Sequence, residues 1–128
     1  MKFGKYLCLL NAVIFIVYGI FYMLVPAAMS TYVTDSIPTT TSALIDMRAI
    51  YGGMSIAIGI VLAILSLKNK TLRTAIMILM VFMITMASGR MLGVALDTGA
   101  NSKMYYYLIS EVLIELVCGV WLKRIKDD

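Results

Sequence analysis

The chain has 128 residues, 62% hydrophobic and 14% charged, with a mean hydropathy of +0.94. Soluble domains are nearer half apolar and about a quarter charged, so this balance excludes one and points to a single integral membrane domain over residues 1–128. The net charge of +4 does not indicate nucleic acid, because the basic residues sit at the ends of apolar segments, where they orient helices.

The chain has no histidine, the commonest metal ligand and proton shuttle near neutral pH. Neither a metal nor a cofactor is expected. Cys8 and Cys118 both fall near the cytoplasmic side of the topology derived below, so reduced thiols are expected rather than a disulfide.

Lys2 and Lys5 precede an apolar run from Tyr6 to Val25, and Pro26-Ala27-Ala28 follows. The run is too long for a signal-peptide core, and Pro26 spoils a small-x-small cleavage site, so a retained first helix over residues 5–25 is expected. Asn11, Tyr18 and Tyr22 share one face of it, at spacings of seven and four. Asn11 and Tyr18 fit equally a polar stripe facing the interior or tolerated polar positions. Tyr22 is expected at the membrane interface.

Residues 26–42 are too short for a domain and are expected to run along the outer surface. Thr41 or Ser42 is placed to cap the next helix, with Asp46 in its first turn, where the helix dipole favours a carboxylate. That second helix is expected over residues 43–67. Arg48, Gly52, Ser55 and Gly59 share a face by steps of three and four, and Ser55-xxx-Gly59-xxx-Ala63 continues it. Small residues on one face let helices approach closely in lipid, so Arg48 is expected to face another helix. Asp46 lies about 200° around the helix and is not its natural partner.

The basic turn Lys68-Asn69-Lys70-Thr71-Leu72-Arg73 leads to a third helix over residues 74–96. Thr85, Gly89 and Gly93 step by four along it, and Met77, Met80, Met83 and Met86 by three; the methionines read as packing or lipid-facing filler. The Gly52, Gly59, Gly89 and Gly93 faces are candidates for homo-oligomer contacts. After an outer turn from Asp97 to Lys103, a fourth helix is expected over residues 104–122. It carries Glu111 and Glu115 on one face and is the weakest span by hydropathy.

Lys2, Lys5, Lys68, Lys70, Arg73, Lys123, Arg124 and Lys126 fall at the amino terminus, the second turn and the tail, whereas the opposite side has only Lys103 apart from two arginines within helices. The positive-inside rule then places both termini in the cytoplasm. The expected fold is an all-α four-helix transmembrane bundle with both termini cytoplasmic.

Arg90 is the costly residue of this arrangement. A central arginine costs about 2.5–3.5 kcal/mol on insertion scales, against roughly 0.3–0.6 gained per Leu or Ile, so it needs partners. At 1.5 Å rise per residue, Arg48 lies about 7 Å deep, Arg90 and Glu111 about 10 Å, and Glu115 about 16 Å, near the midplane. Tyr18 falls close to the level of Glu111, and Asp97 lies above Arg90 at the rim. The candidate ligand-binding residues are therefore Arg48, Arg90, Asp97, Glu111, Glu115, Tyr18 and Asn11. None of them forms a nucleophile–base pair, so no catalytic residue is assigned.

With Arg48-x-x-Tyr51-Gly52-Gly53, Gly59, Gly89-Arg90, Asp97 and Glu111, the chain resembles small four-helix bacterial integral membrane proteins grouped as a domain of unknown function. Those combine an Arg-x-x-Gly-Gly type motif in helix 2, an arginine and Asp-Gly near the end of helix 3, and a glutamate in helix 4. Here Asp97-Thr98-Gly99 replaces the direct Asp-Gly, which lengthens the turn. The resemblance implies the architecture and the residue set and supplies no activity.

Two functions fit these residues. One is a module that binds or passes a small polar, ionic or lipid ligand through Arg48 and Arg90, with Glu111 holding Arg90 and Glu115 as a proton or cation site. The other is a scaffold or accessory subunit packing against a larger membrane partner. An intramembrane enzyme using Glu111 or Glu115 on a lipid-like substrate is the weakest reading.

Overall fold

The structure, a computed structural model, describes residues 2–124. Lys126, counted above toward the orientation, lies outside the described residues. Helix α1 spans Lys2–Leu24, the short α2 spans Pro26–Thr34, and α3 spans Thr41–Leu67. A single 3₁₀ turn, Asn69–Thr71, leads into α4 (Leu72–Leu96), and α5 (Ser102–Arg124) follows. No strand occurs among the described residues.

Four of these helices are long and apolar enough to cross a membrane, and the chain is a multi-pass membrane protein. The span ending the chain has a mean hydropathy of 1.5, against 2.4, 2.2 and 1.9 for the other three. It is the weakest, as its two glutamates dictate. Leu10, Ile14, Ile64, Val81 and Leu113 are each more than half exposed, the arrangement expected where lipid rather than water surrounds a helix.

Expected and observed spans differ by three residues or fewer. Residues 26–34 form a helix that the sequence reading did not specify, because Pro26 supplies a pre-set φ at its first turn and Ala27-Ala28-Met29 favours helix. Two local expectations fail. The α3 cap is Thr40, whose hydroxyl accepts from the Ala43 N–H at 3.2 Å, in place of Thr41 or Ser42. Asp46 consequently lies beyond the first turn, out of reach of the four free N–H groups there.

The chain divides into two compact units. The first comprises Met1–Cys8 with Leu65–Asp128. Its core is a stripe on α4: Leu72, Ala75, Ile76, Leu79, Met83 and Ala87 are all buried. The three- and four-residue steps make this one helical face. The start of α1 packs here too. Phe3 stacks on Trp121 at 5.6 Å, and a Cβ added to Gly4 would lie 2.9 Å from the Ile76 side chain. Cys8 and Cys118 are buried free thiols of this unit.

The second unit is Leu9–Ile64. In it α1 and α3 pack backbone to backbone. A Cβ on Gly19 would sit 2.6 Å from the Gly52 carbonyl, and one on Gly59 would sit 2.6 Å from the Ala12 carbonyl. Both contacts are seven residues apart on each helix, the two-turn repeat of an antiparallel small-residue seam. The small-residue face read on α3 is therefore consumed within the chain. Gly52 and Gly59 are not free for contacts between copies, because α1 already occupies the space that a second copy would need.

Candidate functional site

The α4 core stripe sets the position of Arg90. It lies three residues beyond Ala87, so the guanidinium leaves from the buried face of α4 toward α5. On α5 the buried residues are Glu111 and Cys118, seven apart and on one face. The two faces meet with opposite charges at one level.

Arg90 Nη2 donates to Glu111 Oε1 at 2.7 Å, and Nε donates to Oε2 at 3.1 Å and to Oε1 at 3.3 Å. This is the two-pronged geometry that a guanidinium fork makes with a carboxylate. The other prong, Nη1, donates to the Met104 sulfur at 3.3 Å, and the cation lies 5.3 Å from the centre of the Tyr107 ring. Met104, Tyr107 and Glu111 step by three and four along α5, so one helix face supplies every one of these contacts. The glutamate side chain is 6% exposed and the arginine 21%, which makes this a largely desolvated pair. Sequence reasoning found the pair but not Met104; its position seven residues before Glu111 was the available signal.

The remaining candidates of this unit are less engaged. Asp97 is exposed at the end of α4, where its own N–H donates to the Gly93 carbonyl, and it makes no ion pair among the described residues. Glu115 is half-buried within the α5 span and has no hydrogen-bond or ion-pair partner among the described residues. Gly89 and Gly93 have nothing within 4 Å of an added Cβ.

Arg48 belongs to the second unit, and its partners there are backbone rather than an acid. Nη1 donates to the Met23 carbonyl and, at 3.5 Å, to the Leu24 carbonyl, at the carboxyl end of α1. The last carbonyls of a helix lack intrahelical donors and carry partial negative charge, so a cation is favoured there. Arg48 caps α1 from α3.

Arg48 also opens a π-helical stretch, Arg48–Met54, inside the otherwise α-helical α3. The 3.6-residue arithmetic applied to Arg48, Gly52 and Ser55 does not hold through it, because each turn takes up an extra residue. The wider turn accompanies the Gly52 contact with Met23 and Gly19. Tyr22, expected at the interface, is 2% exposed. It lies between Tyr51, stacked at 5.1 Å, and Tyr18 at 4.9 Å, and aromatic packing explains the burial. Asn11 is buried two turns below Tyr18 on the same helix, and both are partnered.

With this geometry established, comparison with known proteins supplies a family. The domain of unknown function DUF4345 matches residues 4–122, and the chain belongs to that family. No curated protein and no solved structure matches it.

Proposed function

We propose that this DUF4345 member is a non-enzymatic packing subunit of the bacterial inner membrane, with both termini cytoplasmic. It would present α4 to a helix of a larger membrane partner or of a second copy. The observation that carries this reading is the contrast between the two edges of α4. Arg90 is held by Glu111, Met104 and Tyr107, which sets α5 in register, while Gly89 and Gly93 beside it stand open. A direct pair of this kind contributes little net stability, yet it penalises any register that separates the charges. Open small residues on a membrane helix are surface on which another helix can approach closely.

The test is site-specific photocrosslinking from Leu96, three residues beyond Gly93 and seven beyond Gly89 on the same exposed face of α4, in native membranes. One dominant adduct is expected, lost in a Gly89→Leu/Gly93→Leu variant whose thermal stability is unchanged. A ladder of unrelated adducts, or an adduct unaffected by the two leucines, would contradict the proposal.

A second reading has its own observation. Glu115, a carboxylate within the α5 span without a partner among the described residues, supports a site for a small cation or polar ligand. On this reading Glu115→Gln abolishes cation-dependent thermal stabilisation and leaves crosslinking intact. Identical cation responses in the two proteins would remove it.

A further inference from the structure

We propose that a groove beside Arg48 binds one membrane phospholipid, with its phosphodiester on the guanidinium and an acyl chain along the apolar lining. The groove has a volume of about 290 Å³ and is lined by Leu24, Val25, Pro26, Ala28, Leu44 and Arg48. All of them belong to the Leu9–Ile64 unit, so the site is complete within that unit and independent of Arg90 and Glu111.

Three features identify the occupant. The first is charge, since Arg48 is the only lysine or arginine between Leu9 and Ile64 and it lies at the groove. Only Nη1 is used in capping α1, so Nε and Nη2 have no partner among the described residues. A guanidinium presenting one further edge suits the two non-bridging oxygens of a phosphodiester.

The second feature is level. The groove forms where α1 ends and α2 turns away, and Arg48 is seven residues into α3, about 10 Å at 1.5 Å per residue. Its long side chain reaches from there toward the headgroup layer. Tyr32, in α2, is 63% exposed near the same end, as interfacial aromatics are.

The third feature is the lining. Apart from the guanidinium it is aliphatic, which a free anion cannot use and an acyl chain can. Pro26 and Ala28 keep that wall low, so a chain can lie across it.

Native mass spectrometry of the full-length protein tests the site. Dioleoyl phosphatidylglycerol, dioleoylglycerol and inorganic phosphate are titrated separately against wild type, Arg48→Gln and Leu44→Trp. The wild type is expected to retain one phosphatidylglycerol. Binding should fall roughly tenfold or more for dioleoylglycerol and for either variant, one charge-assisted contact being worth at least a factor of ten. Leu44→Trp obstructs the lining without touching the cap on α1, so it decides the matter if Arg48→Gln fails to fold. Equal retention of dioleoylglycerol, undiminished binding by the variants, or inorganic phosphate binding as tightly as the lipid would overturn the proposal.

Discussion

Arg90 and Glu111 meet through Nε and Nη2 of the guanidinium, with the shortest contact at 2.7 Å and the carboxylate 6% exposed. The pair answers the cost of an arginine within a span by bringing a charge of opposite sign to the same level on the next helix. Because the geometry is a fork, charge alone does not replace it. Arg90→Lys keeps the cation but loses the paired donors and the planar face toward Tyr107. It is expected to lower stability by about 1–2 kcal/mol. Thermal unfolding in detergent checks this, and a lysine variant as stable as wild type would show that the fork is immaterial.

The seam between α1 and α3 gives a second expectation. Gly19→Ala places a Cβ 2.6 Å from the Gly52 carbonyl, a backbone atom that cannot move aside cheaply. It should cost about 1–3 kcal/mol, the range for overpacking. Gly89→Ala meets nothing within 4 Å and should be neutral or gain up to about 1 kcal/mol from helix propensity. Comparing the two melting temperatures tests the assignment of one glycine to packing and the other to an open face.

The capping of α3 separates neighbouring hydroxyls. Thr40→Ala removes the acceptor for the Ala43 N–H and should cost about 1 kcal/mol, whereas Ser42→Ala should be silent. Equal effects in thermal unfolding would move the helix start back to where the sequence pattern placed it.

Orientation is open to a direct check. The turn carrying Lys68, Lys70 and Arg73 is expected on the cytoplasmic side with both termini, and Asn101 on the other. An impermeant thiol reagent applied to intact cells should label Asn101→Cys and not Lys70→Cys. The opposite pattern would invert the topology.

How much of this was legible in the sequence depends on periodicity. The spans were legible because twenty-residue apolar runs separated by charge have one solution in lipid. Arg90–Glu111 was legible because depth follows from rise per residue and a buried charge needs its opposite. Arg48 was placed toward another helix, but a sequence pattern does not reveal that the carboxyl end of that helix can serve as its anion. The burial of Tyr22 was not legible because its partner Tyr51 lies in the π-helical stretch, where face arithmetic at 3.6 residues per turn drifts. The use of Gly52 and Gly59 within the chain depended on Gly19 and Ala12, which small-residue spacing on α3 alone could not single out.

The central claim is that Arg90 and Glu111 register α4 and α5 rather than serve a ligand, and a double-mutant cycle tests it most directly. Glu111→Leu leaves a buried cation alone and should destabilise by about 3 kcal/mol, with Arg90→Leu comparably costly. The Arg90→Leu/Glu111→Leu protein should regain wild-type stability and retain the single α4 crosslink. A double variant that is stable and folded yet has lost that crosslink, or has lost a ligand-dependent thermal shift seen in the wild type, would contradict the account.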